Sequence, residues 1–329
     1  MNPLIDSYIQ YVSTVRRYSP RTQTIYRDVL EEYASYSVEA PGDGEALAAS
    51  LTPTSVRNYE VHLLEDRRLG ARTVNLHMSV LSGFCRYLMT SGLLKSNPVR
   101  LVTRPKTEKR LPEFYRDEAM EKYLSETAHA ASEDELELLR ALGPDAGDLA
   151  RTLYERRLRR LIVSILHATG IRRAELASLD VKSFDTSRNI LKVRGKGDKM
   201  RDVPLVPVLV EETGRYLEAA EAYFGGAPAA GDPLLRTPSG RRLYPVYIDR
   251  AVKEELGGVP DITGRKSPHV LRHTFATELL NDGTDLYAIK EVLGHSSLAA
   301  TQVYTHNSVE RLKAVYEKAH PRAKDTPGD

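Results

Sequence analysis

The stretch SPHVLRHTFATELLNDG gathers residue types suited to holding an anion. Ser267 is a good N-cap, Pro268 suits the first helical position, and Gly283 can end the helix. His269 then falls in the first turn, with Arg272 and His273 following at i+3 and i+4, so all three are expected on one face. A guanidinium and an imidazole at the positive end of a helix form an anion site, and phosphate is the natural anion. A zinc site fits poorly, because HVLRH has neither the carboxylate of a metalloprotease HExxH motif nor cysteine partners.

Three further motifs could join this one. TGIRRAEL sets Glu175 one helical turn from Arg172, where a carboxylate can orient a guanidinium. ILKVRGKGDKMRDVPLV alternates Leu191 and Val193 against Lys192 and Arg194, turns at Gly195-Lys196-Gly197-Asp198 and returns through Val203 and Leu205, a hairpin with Lys196 at its tip. It lacks the GxxxxGK[ST] order of a phosphate-binding Walker loop. After Thr284 a short helix buries Ile289, Val292 and Leu293 and stops at Gly294. His295 follows directly, and SSLAATQVYTH then carries Tyr304 and His306. One tyrosine among 18 is ordinarily a core or surface residue, so Tyr304 matters only through its company.

These residues need a scaffold, and the first hundred read as helices. Leu4, Ile5, Tyr8, Ile9 and Val12 recur at helical spacing. Ser19-Pro20 ends that helix and caps the next, through Val29, Leu30 and Tyr33. Pro41, Gly42 and Gly44 mark a loop. A third helix follows Thr54 or Ser55, a fourth runs from about Arg72 to Leu88, and Gly92 with Asn97-Pro98 closes the bundle. Arg104, Lys106, Lys109 and Arg110 then lie in a polar linker, where they either solvate a hinge or contact a phosphate backbone. The expected organisation is a helical domain over 1–103, a linker over 104–110 and a second domain over 111–329.

The second domain is expected to be mostly α with a small hairpin: a long helical stretch to about Leu179, the hairpin around Gly195 and Gly197, then helices to the end. Residues 125–157, acidic at their centre and broken by Gly143-Pro144, read as surface decoration. In NSVERLKAVYEKAH, Asn307 is an N-cap with Glu310 at N3, and Val309, Leu312, Val315 and Ala319 form an apolar strip. That strip either folds back on its own chain or docks elsewhere.

Composition excludes several classes. With 329 residues, 41% hydrophobic and 28% charged, the chain is neither collagenous nor low-complexity. Its longest apolar runs fall well short of the ~20 residues that span a bilayer. The start MNPLIDSYIQYV is unlike a secretory signal. A single cysteine, Cys85, forbids an internal disulfide and fits a reducing cytoplasm, with packing as its expected role. Net charge is only +2, and division at Pro105 exposes no strongly basic half, so a nucleic-acid binder must gather its cations on one face.

Taken in order, Arg172, Lys196, His269, Arg272, His295 and Tyr304 resemble the active-site signature of the tyrosine site-specific recombinases, through TGIRRAEL, GKGDKMRDVP, HVLRHTFAT, LGHSS and TQVYTH. RTVNLHMSVLSGFCRYLMTSGLLKSNP looks like that family's helical core-binding domain, and VYTHNSVERLKAVYEKAHPRA looks like its Xer-type branch of chromosome dimer resolvases. The stretch 125–157 is longer than in typical Xer proteins.

The resemblance implies attack by the Tyr304 phenol on a DNA phosphate, giving a 3′-phosphotyrosyl link and a free 5′-hydroxyl. One phosphodiester replaces another, so no metal or other cofactor is called for. Arg172 and Arg272 would hold the non-bridging oxygens, His295 would donate a further hydrogen bond, His269 would help remove the tyrosine proton, and Lys196 would protonate the departing oxygen. Glu175 would orient the cluster, and His273 is expected to be structural, turned partly toward the core. The implied partners are double-stranded DNA with inverted half-sites and a homo- or hetero-tetramer on two sites joined through the C-terminal helix. A second Xer-type recombinase and a septal DNA translocase could also take part. The same residues would serve an integrase or invertase of a mobile or phase-variable element. A type IB topoisomerase fits the N-terminal domain less well, and a catalytically inactive DNA-binding protein fits the intact residue set less well.

Overall fold

A computed structural model describes residues 2–107, 113–144, 147–195 and 198–294. The chain divides into two units, Met1–Arg110 and Leu111–Asp329, each built on its own apolar core.

In the first unit, polar side chains start the helices. Asn2 caps α1 (Pro3–Thr14), Ser19 caps α2 (Pro20–Ser37), Asp43 caps α3 (Gly44–Ser50) and Thr52 caps α4 (Pro53–Glu65), each accepting a backbone N–H. α5 (Ala71–Thr90) follows Gly70 with no such cap. α3 lies where a loop is expected. The Asp43 carboxylate accepts the Ala46 N–H at 3.1 Å, and Leu47 is buried, which outweighs the glycines around it. Val74, Met78, Leu81, Phe84, Cys85 and Leu88 of α5 carry the core. Cys85 is fully enclosed, and burial pushes its thiol up to about 12, so it packs and is not a nucleophile at neutral pH. Arg104 and Lys106 are exposed, yet the chain around them is not free: Arg104 Nη1 donates to Ser79 Oγ at 3.0 Å and Asn75 Nδ2 to the Pro105 carbonyl at 2.9 Å, which lays it along α5. Lys109 and Arg110 lie outside the described residues.

The second unit opens with α6 (Asp117–Glu126), α7 (Glu133–Leu142) and α8 (Gly147–Thr169). Every residue of α8 from Arg160 onward is buried, as expected of a helix that is apolar on all sides. Its polar members are paired: Ser164 Oγ donates to Glu212 at 3.0 Å, and Arg160 lies 3.3 Å from the same carboxylate. Residues 125–157 are therefore not surface decoration. Leu136, Leu139, Ala150, Leu153 and Tyr154 belong to the main core, and the acidic residues occupy the outer side of α7.

Helix does not continue to Leu179. α8 ends at Gly170, whose φ of +58° favours glycine and where an added Cβ would collide with the Phe275 ring and Leu293. α9 (Arg173–Ala177) then starts separately. β1 (Phe184–Asp185), β2 (Ile190–Arg194) and β3 (Met200–Pro204) form an antiparallel sheet in the order β1-β2-β3, one strand more than the expected hairpin. Lys192 lies opposite Asp202 and Arg194 opposite Met200. Around α8 pack α10 (Pro207–Phe224), α11 (Pro245–Glu255) and α12 (Pro268–Asn281), and α13 (Leu286–Leu293) leans on α12. Among the described residues no helix is long and apolar enough to cross a membrane.

Candidate active site

The end of α8, the start of α9, strand β3 and helices α12 and α13 meet at one point, where three arginines converge. Arg172 stands at the N-cap of α9. Glu175 reaches back to accept its backbone N–H at 2.8 Å, so the carboxylate satisfies an orphan helix donor. The other oxygen of Glu175 accepts from Arg172 Nη1 at 2.8 Å, and Arg172 Nη2 donates to the Gly294 carbonyl at 3.0 Å. About a third of the Arg172 side chain stays exposed, at 35%, so it can still meet a ligand.

Arg272 turns inward from α12 and is 8% exposed. Its Nη1 donates to the Gly170 carbonyl at 2.6 Å and its Nη2 to the Leu293 carbonyl at 2.7 Å. Positive φ at Gly170 exposes the first of these carbonyls, and the C-terminal end of α13 supplies the second. Arg272 has no carboxylate of its own in these bonds. Burial, and then the neighbouring Arg172, push its guanidinium down to about 10, so it remains charged at neutral pH in a setting that disfavours a cation. An anion placed beside it would relieve that cost.

A third arginine, Arg201 of β3, is not singled out by its motif. Its Nη1 and Nη2 donate to the two oxygens of Glu175 at 3.1 and 2.8 Å, and its Nε donates to the Val292 carbonyl at 2.9 Å. The sequence does hold a signal for it. Arg201 is in phase with Val203 on a strand whose inward positions are otherwise apolar, and an inward-facing charge needs a partner. Burial raises the Glu175 carboxyl, but hydrogen bonds from Arg201 and Arg172 more than offset it and leave the group below its ordinary value. Glu175 is ionised at neutral pH, and one carboxylate is shared between two guanidiniums with a third close by. The cluster thus keeps an excess of positive charge, and an anion such as a phosphate is the ligand that chemistry fits.

The α12 motif departs from expectation in two ways. Ser267 does occupy the N-cap of α12, yet its hydroxyl makes no cap hydrogen bond. His269 and His273 are both exposed, whereas Arg272 is buried: the i, i+3, i+4 spacing keeps the three on one side of α12, but Arg272 turns inward and His273 does not point to the core. Burial, and then the nearby Arg173 and Arg265, hold the His269 imidazole below its ordinary 6.5, so at neutral pH it is a proton acceptor. Arg173 itself is paired with Asp249 of α11. Lys196, His295 and Tyr304 lie outside the described residues, as does the C-terminal strip Val309, Leu312, Val315 and Ala319. Lys196 follows Gly195 at the end of the described β2 segment, and His295 follows Gly294, whose carbonyl Arg172 holds.

Comparison with known proteins identifies the two domains. The phage integrase family model matches residues 149–311, and the model of the phage integrase N-terminal SAM-like domain matches residues 5–92. A protein of Chlorobaculum parvum named tyrosine recombinase XerC is 33% identical over 325 residues, covering 97% of this chain and 94% of the relative. A protein of the same name from Mycobacterium sp. (strain KMS) is 35% identical over 329 residues, covering 98% of this chain and 100% of the relative. Among solved structures, the XerH site-specific recombinase bound to difH substrate in a pre-cleavage complex shares the fold. It has a TM-score of 0.60 at 20% identity over 95% of this chain and 83% of that one.

Proposed function

The chain belongs to the phage integrase family of tyrosine recombinases, enzymes that cleave and rejoin DNA, and from that premise we propose how its residues divide the reaction. The observation that carries the reading is the convergence of Arg172 and Arg272 on the end of α13, with Arg272 buried and, among the described residues, making no ion pair with a carboxylate. Two planar, permanently charged forks are suited to the non-bridging oxygens of a scissile phosphate, whose negative charge grows as the nucleophile attacks. Tyr304 attacks and forms the 3′-phosphotyrosyl bond while the 5′-oxygen departs. A phenol has a reference pKa near ~10, so it needs a base at neutral pH, and the neutral imidazole of His269 supplies one. His295 donates a hydrogen bond to the phosphate, and Lys196 gives the departing 5′-oxygen its proton. Glu175 keeps Arg172 in place. The reverse attack by a 5′-hydroxyl rejoins strands, so bond energy is retained in the phosphotyrosine and no other energy source enters.

The finer reading is resolution of chromosome dimers at a dif-like site in the cytoplasm. Two lines support it: the Xer-type ending VYTHNSVERLKAVYEKAHPRA and curated relatives that carry the name tyrosine recombinase XerC. In this reading four subunits assemble on two inverted-repeat sites, the apolar strip after Asn307 docks on a neighbour, and a second recombinase or a DNA translocase can take part. Arg104, Lys106, Lys109 and Arg110 contact the DNA backbone. The test is to trap covalent complexes in cells and sequence the attached DNA. A single chromosomal locus near the replication terminus supports dimer resolution. Attachment sites flanking a mobile element, or an invertible segment, would replace it with integration or inversion.

A further inference from the structure

We propose that Arg201 is a positioning residue for DNA cleavage: through Glu175 and the Val292 carbonyl it holds Arg172 and the end of α13 in fixed relation to strand β3. This rests on the roles proposed above for Arg172, Lys196 and His295. Arg201 is 7% exposed, and its guanidinium is engaged by Glu175 and by Val292, so it is not placed to touch DNA and acts through its neighbours.

Three segments lean on the Arg201–Glu175 pair. From α9, Arg172 shares Glu175 with it. From the end of α13, Gly294 presents its backbone to the guanidinium: a Cβ there would stand 3.1 Å from Nη1 and 3.2 Å from Cζ, at a φ of +64°. Just past β2, a Cβ on Gly195 would stand 3.4 Å from Arg201 Nη1 and 3.7 Å from Glu175 Oε1. In the sequence Gly195 precedes Lys196 and Gly294 precedes His295, so one ion pair sits beneath the chain leading to the acid, the hydrogen-bond donor and the arginine.

The pairing also sets charge. A carboxylate committed to a bidentate fork with Arg201 cannot turn wholly toward Arg172, which therefore keeps part of its charge for a phosphate.

Arg201→Lys retains the charge and loses the fork. The readout is single-turnover cleavage of nicked site DNA at saturating protein, beside DNA affinity and the thermal midpoint. Cleavage should fall about ten-fold or more, as expected of a displaced catalytic group, with affinity changed less than about two-fold. Val203→Ala is the structural control: it removes fully buried packing from the same strand without touching Glu175. It should lower the thermal midpoint and leave cleavage within about two-fold.

A second pair does not alter Arg201 itself. Gly294→Ala pushes on the guanidinium, whereas Gly283→Ala places a methyl at a similar positive φ with nothing within 4 Å. Only the first should slow cleavage. Normal cleavage by Arg201→Lys, or equal slowing in either control of a pair, would overturn the proposal. Failure of the unsubstituted protein to cleave would instead refute the site assignment, and it is read before any variant is compared.

Discussion

Glu175→Gln removes the one negative charge shared by Arg172 and Arg201 and keeps the side-chain shape. The carboxylate accepts four hydrogen bonds, from the Arg172 backbone N–H, Arg172 Nη1, Arg201 Nη1 and Arg201 Nη2, at 2.8 to 3.1 Å. An amide keeps one acceptor oxygen and turns the other position into a donor facing a guanidinium. Removing one partner of a buried pair costs about 3–5 kcal/mol, and at 5% exposure Glu175 falls in that class. Urea unfolding followed by circular dichroism measures the loss; the chain has no tryptophan to serve as a fluorescent probe. The pH dependence follows from the depressed carboxyl. Its contribution is fully present above the ordinary 4.5 and fades as pH falls through the lower folded-state value. The difference between parent and variant should thus be largest at neutral pH and shrink in acid. A loss under about 1 kcal/mol at neutral pH, or one that persists unchanged in acid, would show that the carboxylate is not the hub of the arginine cluster.

Cleavage should fall in acid, with a limb lying below the ordinary imidazole value of 6.5 because burial and nearby arginines depress His269, whose protonation removes the base; His269→Gln should be slower at neutral pH and lose that acid limb in a pH–rate profile. Lys196→Ala should cleave ordinary site DNA at least about a hundred-fold more slowly, yet cleave a substrate with sulfur at the 5′-bridging position near the parent rate, since sulfur departs without a proton; equal defects on both substrates would remove Lys196 as the acid. Replacing Arg104, Lys106, Lys109 and Arg110 by Gln should flatten the slope of log affinity against log salt by up to about 0.9 for each phosphate left unneutralised, and an unchanged slope would leave the linker a hinge lying along α5.

The helices of the first unit are legible in the sequence because apolar residues recur at helical spacing and Ser19-Pro20 marks the start of α2, although α4 starts at Pro53 behind the Thr52 cap, earlier than the expected Thr54 or Ser55. α3 is not, since its short length and glycine start hide behind the one cap at Asp43. The acidic stretch 125–157 misleads through composition. Most of its acidic side chains face outward, and the apolar i, i+3 pair Leu136 and Leu139 is the better guide to its place in the core. The break at Gly170 depends on Phe275 and Leu293, more than a hundred residues away, and no local pattern announces it. The Arg172–Glu175 pairing is readable from spacing alone. The α12 motif marks Arg272, but its inward direction requires the Gly170 and Leu293 carbonyls that receive it. Arg201 shows the limit most clearly: its strand phase is on view, but its partners come from α9 and α13.

The central claim is that Tyr304 takes up DNA covalently on phosphate held by Arg172 and Arg272. Purified protein incubated with nicked site DNA and run on a denaturing gel tests it directly. The account predicts a slow-migrating protein–DNA adduct that is sensitive to protease, absent in Tyr304→Phe at equal DNA affinity, and strongly reduced in Arg272→Lys, whose single ammonium cannot reproduce the fork. An adduct that persists in Tyr304→Phe would contradict it and assign the nucleophile to another residue.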